Sequence, residues 1–297
     1  MSAGFIGAGS MGLGIAGNIL GKLRGLTVYD IDPARIQPLA ERQARVAASP
    51  REVADREAVV LQCLPSNKAL DAVVNGPNGV KGGKAMKVFV NLGVTGRATV
   101  EAIAESLGEA GVAVVDAPIS GGSLRAREGT LTIMVSGDPA AIEMARPMLE
   151  AASTKIVHIG DKPGQAQMMK LVNNIISAGN FAVAAEAMLL GAKAGLNPET
   201  MLEVINSGTA QNSATLAKIP GHVLTRGFDY GSKLHIIRKD LVEWLHETEA
   251  AGVPSPTCLA ARQMFETAAA MLGDQADFTE AMKVVETMSR FEMPKTR

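Results

Sequence analysis

The chain has 297 residues, of which 47% are hydrophobic and 20% are charged, and its formal net charge is −1. This composition is typical of a globular protein and excludes a disordered chain. Because the chain has no basic block and only 3% aromatic residues, we expect no nucleic-acid partner and no binding to an anionic membrane surface.

The spacing of the cysteines and histidines predicts neither a disulfide framework nor a metal site. Cys63 and Cys258 lie far apart, and the four histidines show no HExxH or comparable ligand spacing. The N-terminus MSAGFIGAGSMG lacks the basic segment and apolar core of a signal peptide. No charge-free apolar run of ~20 residues predicts a membrane span. We therefore expect a cytoplasmic protein without a metal.

The first half of the chain alternates short β-rich runs with segments of helical spacing, such as Pro33–Arg45 and Arg97–Glu109. Strands that alternate with helices indicate βαβ units and a parallel sheet. The predicted strands are Ala3–Ile6, Leu26–Tyr29, Ala58–Cys63, Lys87–Asn91, Val112–Asp116, Leu131–Ser136 and Lys155–His158.

After roughly residue 161 the strand-like runs disappear and the chain becomes helical. The segment Gly164–Ala194 contains no proline and could form one helix of ~45 Å. The sequence therefore predicts an α/β Rossmann-type N-terminal domain with a parallel sheet over residues 1–161. An all-α C-terminal domain built on the long helix follows over residues 162–297. So long a helix favours a homodimer or homotetramer.

A GxGxxG pattern follows the first predicted strand and precedes a helix. Gly7 permits a tight turn, Gly9 lets the backbone approach a pyrophosphate, and Gly12 lets the helix pack closely on the strand. Ser10 and Met11 complete the turn, and the helix N-terminus offers N–H groups to the phosphates. This context predicts a dinucleotide site.

The end of the second predicted strand carries a carboxylate, Asp30, 18 residues past Gly12. A carboxylate at this place can accept hydrogen bonds from both ribose hydroxyls and repels a 2′-phosphate, which favours NAD over NADP. Arg35 keeps NADP possible. The turn that begins at Asp30 and reaches Pro33 is an alternative reason for the aspartate.

A second glycine loop, Asp116-Ala-Pro-Ile-Ser-Gly-Gly, follows a predicted strand. Ser120, Gly121 and Gly122 present a hydroxyl and consecutive backbone N–H groups, which together can cradle a carboxylate. A plain crossover loop is the alternative. Its place at the end of a strand in an α/β sheet favours a role in ligand binding.

The long predicted helix opens with one lysine and two asparagines in an otherwise apolar stretch. Lys170 and Asn174 are four residues apart, so they share a helix face, and Asn173 leans to the same side. A buried ammonium is costly unless it is paired or neutralised, so this lysine either reaches water or has a task. The alternative is a lysine whose stem covers apolar surface while its head reaches water.

Taken together, these motifs resemble those of the β-hydroxyacid dehydrogenase family over nearly the whole chain. Four signatures carry the resemblance, namely GFIGAGSMG, DAPISGG, GQAQMMKLVNN and Lys239-Asp-Leu. The resemblance implies that Lys170 is the catalytic lysine and that Asn174 is its helix-mate in the active site. It also implies that Ser120, Gly121 and Gly122 hold the substrate carboxylate.

The same resemblance implies further contacts with the cofactor. Lys239 would lie near the nicotinamide end, and Leu64 and Pro65 would form the turn beside the adenosine half. The sequence departs from the family at 91–94, where Asn-Leu-Gly-Val replaces the usual Asp-x-Ser-Ser/Thr, so the expected hydroxyl is missing. Thr95, one place along, is the nearest substitute.

The expected activity is the reversible NAD-linked oxidation of a small 3-hydroxy acid to its semialdehyde, with Lys170 as general acid and base. 3-Hydroxyisobutyrate is the first expected substrate, and tartronate semialdehyde or another short semialdehyde is the alternative. An imine or ketone reductase is disfavoured because Lys170 is present. A non-catalytic dinucleotide-binding sensor on the same fold is the alternative from another class.

Overall fold

The computed structural model describes residues 1–296 and divides the chain into two compact units. The first unit is Met1–Lys170, and the second begins at Leu171.

The strands of the first unit form a sheet that has nine members in the described residues. They are β1 (Ser2–Ile6), β2 (Gly25–Tyr29), β3 (Arg45–Val46), β4 (Val59–Gln62), β5 (Val88–Asn91), β6 (Ala113–Asp116), β7 (Ile119–Ser120), β8 (Leu131–Ser136) and β9 (Ser153–Gly160).

The strand order is β3-β2-β1-β4-β5-β6, with every neighbouring pair parallel, followed by β8 and β7. This is the doubly wound order. Successive strands are added on one side of β1 up to β3, and from β4 onward they are added on its other side. The predicted parallel sheet is confirmed. At one edge β8 runs antiparallel to β6 and β7, and β9 pairs parallel with β8.

Helices follow most of these strands. In the first unit they are α1 (Gly12–Lys22), α2 (Pro33–Ala40), α3 (Pro50–Arg56), α4 (Asn67–Asn75), α5 (Arg97–Gly108), α6 (Gly122–Glu128) and α7 (Pro139–Ala152), with a 3-10 turn at Val80–Gly82. Asp32, Ser49, Ser66 and Asp138 cap the first turns of α2, α3, α4 and α7 with their side chains. Such caps satisfy N–H groups that have no partner inside the helix.

Helices cover both faces of the sheet, and both faces are apolar. Leu61, Val90 and Val115 pack on one side in the cluster that contains α1 and α7 residues. On the other side Val60 and Phe89 pack against α3, α4 and α5 residues. Strands buried on two faces read as continuous apolar runs, which is why the sequence showed them so clearly.

Two strand segments and one helix end differ from the predictions. The helix predicted over Pro33–Arg45 stops at Ala40, because Gln43 adopts a left-handed φ of 68° and the Ala44 N–H returns to the Leu39 carbonyl at 3.0 Å. Arg45–Val46 then pairs with β2. This strand and Ile119–Ser120 have two residues each, too few for a periodic signal.

The second unit is helical, as predicted. Its elements are α8 (Gln165–Lys193, which starts in the first unit), α9 (Pro198–Ser207), the π-helix (Ala214–Val223), α10 (Leu234–Ala251), α11 (Pro256–Leu272), a 3-10 turn (Phe278–Ala281) and α12 (Met282–Ser289). The rings of Phe181, Phe265 and Phe278 meet in its core, with the Phe181–Phe278 and Phe265–Phe278 centroids 4.9 and 5.1 Å apart.

Helix α8 is long and apolar enough to cross a membrane by length and composition, and within residues 1–296 it is the one such helix. Half of its most apolar window is buried inside the structure. A core helix of a soluble protein passes the same test.

Candidate functional site

The glycine turn between β1 and α1 needs its three motif glycines for three different reasons. Gly7 has a φ of +94°, and a Cβ on it would lie 2.6 Å from the Cys63 carbonyl oxygen. A Cβ on Gly12 would lie 1.9 Å from the Gly7 carbonyl oxygen. A Cβ on Gly9 would meet no atom within 4 Å. The side of Gly9 on which a Cβ would stand is therefore open, as the approach of a phosphate requires.

The first turn of α1 differs from those of the helices capped by aspartate or serine. Within the described residues no side chain caps α1 at Met11, and its first turn contains no acidic residue. At this end the Leu13 N–H donates to the Gly9 carbonyl at 3.0 Å, and the helix dipole favours an anion beside the neighbouring N–H groups.

A cavity of about 530 Å³ adjoins this turn in the first unit. This volume is in the range of cofactor and ligand sites. Its lining is largely apolar and includes Ile31, Ala69 and Val73. Eight of the ten predicted cofactor residues line it, namely Gly7, Gly9, Ser10, Met11, Gly12, Asp30, Leu64 and Pro65. Thr95 and Lys239 are not among its lining residues.

Asp30 stands at the end of β2 and is 7% exposed. Its carboxylate accepts the Ala8 N–H at 2.7 Å and the Asp32 N–H at 2.9 Å. The aspartate therefore ties the glycine turn to the turn after β2, and the free lone pairs of its oxygens can accept further donors. Arg35 also lines the cavity, and its guanidinium pairs with Asp32 at 3.3 Å.

A buried carboxylate at the end of β6, Asp116, anchors the beginning of α8. One of its oxygens accepts the backbone N–H groups of Gly164 and Gln167, each at 3.1 Å. The other accepts the side-chain amide of Gln167 at 2.7 Å. Burial raises the pKa of the Asp116 carboxyl, and these hydrogen bonds oppose that rise.

The Gln167 amide also binds the loop after β5. Its oxygen accepts the Thr95 and Gly96 N–H groups at 3.0 and 3.2 Å, and its nitrogen donates to the Gly93 carbonyl at 3.0 Å. The Asn91 amide donates to the Thr95 hydroxyl oxygen at 3.1 Å. The segment at 91–94 that departs from the family pattern is thus built into a closed polar network. Thr95 is 6% exposed, and its hydroxyl is oriented by Asn91.

The side chain of Asn91 also pairs with an amide at the end of the neighbouring strand β4. Gln62 donates to the Asn91 oxygen, while the Gln62 oxygen accepts the Leu64 N–H at 2.8 Å. The Leu64-Pro65 turn is therefore joined through Gln62 to the loop after β5.

Lys170 follows Gln167 by one turn of α8 and is the last residue of the first unit. Only 8% of the residue is exposed. Because Gln167 is tied to the ends of β5 and β6, Lys170 is carried at the carboxyl ends of the parallel strands. This is the edge of a doubly wound sheet at which ligands bind.

The second glycine loop belongs to the same unit. Ser120 ends β7, whose pairing with Thr132 of β8 sets its backbone, and its side chain is half-buried. Gly121 and Gly122 have φ values of +141° and +75°, conformations that favour glycine. Both glycines are exposed, so their backbone is accessible to a ligand.

In the second unit, the Asn174 amide donates to the carboxylate of Asp240 at 2.7 Å. Asp240 is 1% exposed and sits on α10 beside the predicted Lys239, whose ammonium lies 3.9 Å from the other Asp240 oxygen. Asn173 is exposed and donates to the Asn174 oxygen at 3.2 Å. Asn174 is thus held in one orientation by a buried acid.

Two family models match this chain. Residues 2–160 match a family model described as the NAD binding domain of 6-phosphogluconate dehydrogenase. Residues 164–285 match one described as NAD-binding of NADP-dependent 3-hydroxyisobutyrate dehydrogenase.

Among curated proteins, 2-(hydroxymethyl)glutarate dehydrogenase of Eubacterium barkeri is 35% identical over 96% of this chain and 95% of its own. The 2-hydroxy-3-oxopropionate reductase of Escherichia coli strain K12 is 30% identical over 99% and 100% of the two chains. Among solved structures, 3-hydroxyisobutyrate dehydrogenase of Mycobacterium tuberculosis superposes with a TM-score of 0.86 at 25% identity, covering 96% of this chain and 98% of that one.

The chain belongs to the β-hydroxyacid dehydrogenase family. As a member of this family it is an NAD(P)-dependent oxidoreductase that acts on the CH–OH group of hydroxy acids. The residues around its glycine turn fit a dinucleotide, because the turn leaves Gly9 open and the first turn of α1 uncapped.

The sequence analysis did not predict three polar residues of this protein as functional positions. Asp116 and Asp240 stand inside two of the signatures and Gln167 inside a third, but nothing in the sequence pairs Asp116 with Gln167 or Asp240 with Asn174. A polar residue beside apolar ones was the available signal for Asp116 and Gln167, as it was for Lys170, whereas Asp240 directly follows Arg238 and Lys239. Within residues 1–296, no three His, Cys, Asp or Glu side chains group as metal ligands.

Proposed function

We propose that the protein catalyses the reversible NAD-linked oxidation of a small 3-hydroxy acid to its semialdehyde, with Lys170 as the general acid and base. The observation that carries this proposal is the anchoring of α8. Asp116 and Gln167 hold the helix at the carboxyl ends of β5 and β6, and the mostly buried Lys170 follows one turn later.

In the proposed reaction, the Ser120 hydroxyl and the N–H groups of Gly121 and Gly122 hold the substrate carboxylate. Lys170 in its neutral form accepts the proton of the substrate hydroxyl, and in the reverse direction its ammonium donates that proton to the carbonyl oxygen. Asn174, oriented by Asp240, steadies the reacting hydroxyl. Bound NAD supplies the hydride acceptor.

We propose NAD as the preferred cofactor. Asp30 supports this preference, because its buried carboxylate lines the cavity and would repel a 2′-phosphate. Thr95 and Lys239 are proposed to act near the nicotinamide end, Thr95 through its oriented hydroxyl. We also propose a cytoplasmic location, which the free thiols of Cys63 and Cys258 support.

The test is initial-rate NAD reduction over a panel of small hydroxy acids. The panel includes glycerate, 3-hydroxyisobutyrate, whose C2 carries a methyl group, and 2-(hydroxymethyl)glutarate, whose C2 carries a chain that ends in a second carboxylate. Lys170→Ala should lower kcat by about 10²–10⁴-fold while NAD affinity stays within about twofold. Lys193→Ala, at an exposed lysine of the same helix, is the matched control.

The panel also separates the alternatives. Preferred turnover of glycerate, with tartronate semialdehyde reduced in the reverse assay, would identify the protein as a tartronate semialdehyde reductase. NAD binding without turnover of any panel acid would contradict the dehydrogenase proposal and identify a sensor. Equal activity of wild type and Lys170→Ala would remove the lysine from the mechanism.

We further propose that the protein is a homodimer or homotetramer assembled through α8. Met169, Ile176, Val183 and Leu190 recur every seven residues along this helix and are all exposed. An exposed apolar stripe with this period is the seam of a helix–helix contact. Val183→Glu should shift the sedimenting species to a smaller one, whereas Lys193→Glu should not.

A further inference from the structure

The second unit holds a buried lysine for which the proposed reaction has no role. Lys218 lies in the π-helix, and 3% of the residue is exposed. Its ammonium donates to the Ser177 hydroxyl oxygen at 2.8 Å and to the Ser213 hydroxyl oxygen at 2.9 Å. π-Helical segments occur frequently at functional sites.

No carboxylate pairs with this ammonium in the part of the chain that the structure describes. The rings of Tyr230 and Phe278 lie over it instead, with centroids 5.4 and 5.5 Å from Nζ. Burial lowers the pKa of Lys218 to about 8. A cation held among rings and neutral hydroxyls carries a desolvation cost that an ion pair or a ligand would offset.

Two of the residues around this ammonium reach the protein surface. Ser213, one of its two hydroxyl partners, is exposed, and Tyr230 is 42% exposed. An ammonium has three N–H donors, and in residues 1–296 two of them are taken by the serines. The third is suited to a carboxylate oxygen, which would neutralise the charge.

The other serine relates Lys218 to the proposed catalytic helix. Ser177 follows Lys170 by seven residues and Asn174 by three on the continuous helix α8. Positions i, i+4 and i+7 of a helix share one face, so Lys170, Asn174 and Ser177 form a single stripe. The stripe rises about 10 Å from the lysine to the serine, and the Lys218 ammonium is bound at its far end.

We propose that Lys218, with the hydroxyls of Ser177 and Ser213, binds a second acidic group of the substrate. The substrate is then a hydroxy acid with another carboxylate at the far end of its chain. This inference rests on the proposed function for the reaction at Lys170, but not for the binding of the anion itself.

The kinetic test compares two acids of the panel, 3-hydroxyisobutyrate and 2-(hydroxymethyl)glutarate, in wild type, Lys218→Met, Lys218→Arg and the control Lys193→Met. We expect wild type to favour the di-acid. In Lys218→Met, the ratio of kcat/KM for the di-acid to that for the mono-acid should fall at least tenfold, mainly through the KM for the di-acid. Lys218→Arg should restore part of the ratio, and Lys193→Met should leave it unchanged.

A binding test separates this inference from the proposed function. Glutarate, which has two carboxylates and no hydroxyl, is titrated calorimetrically into the NAD-loaded protein, and its Kd should rise at least tenfold in Lys218→Met. If that occurs while no panel acid is oxidised, the anion site stands and the proposed function falls.

The reverse outcome overturns the inference alone. It would consist of turnover of 3-hydroxyisobutyrate together with a substrate ratio and a glutarate Kd that Lys218→Met does not change. An equal loss for both acids would mean that Lys218 only supports the fold. If Lys218→Met does not fold, the same comparison is made with Ser213→Ala, which removes the exposed hydroxyl. We expect the ratio of kcat/KM for the di-acid to that for the mono-acid to fall two- to fivefold. An unchanged ratio would contradict the inference.

Discussion

The side chain of Gln167 donates to one carboxylate oxygen of Asp116 at 2.7 Å, while the backbone N–H of the same glutamine donates to the other at 3.1 Å. Both residues are almost fully buried. These two hydrogen bonds join the start of a helix to the end of a strand. They determine where Lys170 stands relative to the sheet.

Asp116→Asn should therefore destabilise the fold and reduce activity together. The carboxylate accepts donors on both oxygens, so an amide would set one N–H group against another. We expect the free energy of unfolding to fall by about 1–3 kcal/mol, and kcat to fall more than the loss of folded protein explains. Denaturant unfolding and active-site titration check the two effects, and Asp161→Asn, at an exposed position, is the control.

The glycine turn offers a pair of variants that separate cofactor binding from folding. Gly9→Ala adds a methyl group that meets no protein atom within 4 Å, whereas Gly12→Ala places one 1.9 Å from the Gly7 carbonyl oxygen. We expect Gly9→Ala to keep the wild-type Tm and to weaken NAD binding at least tenfold. Gly12→Ala should lower the Tm. Unchanged NAD affinity in a folded Gly9→Ala protein would place the pyrophosphate elsewhere.

Asp30→Asn should change cofactor choice. Ala8 and Asp32 donate to different oxygens of this carboxylate, so the variant keeps one of the two backbone hydrogen bonds, and it removes the negative charge that would face a 2′-phosphate. With Arg35 nearby on the cavity wall, we expect the ratio of kcat/KM for NAD to that for NADP to fall about tenfold. A wild-type enzyme that already prefers NADP would contradict the assignment of Asp30.

The lowered pKa of Lys218 makes a prediction about stability and pH. Between about pH 8, where the folded lysine loses its proton, and its ordinary pKa near 10.4, the unfolded chain binds more protons than the folded one. The stability contribution of Lys218 therefore rises with pH across this window, by up to about 1.4 kcal/mol per pH unit. Below pH 8 the full desolvation cost applies.

The measurement is the difference in unfolding free energy between wild type and Lys218→Met at pH 7.5, 8.5 and 9.5 in the absence of ligand. Subtracting the variant removes the contributions of other groups, including the neighbouring His222. We expect Lys218→Met to be the more stable protein at pH 7.5, and its advantage to shrink as the pH rises. A difference independent of pH would mean that the ammonium is not desolvated.

Much of the first unit could be read from local patterns. Its strands are buried on both faces and therefore appear as apolar runs, and Gly7 and Gly12 indicate a turn that leaves no room for a side chain at either position. The short strands β3 and β7 could not be predicted, since two residues carry no period. Helix α2 ended early because the left-handed Gln43 let the chain turn to pair with β2.

The sequence by itself determined the alternation of the longer strands with helices, the dinucleotide turn and the residue types available for chemistry, because these depend on periodicity and on backbone conformations within a few positions. Only the tertiary structure decided which polar groups meet. Asp116 is paired with Gln167 51 residues away, Asn174 with Asp240 66 residues away, and Lys218 with Ser177 41 residues away. Such partners lie on different elements, so their proximity follows from how strands and helices pack rather than from any local pattern.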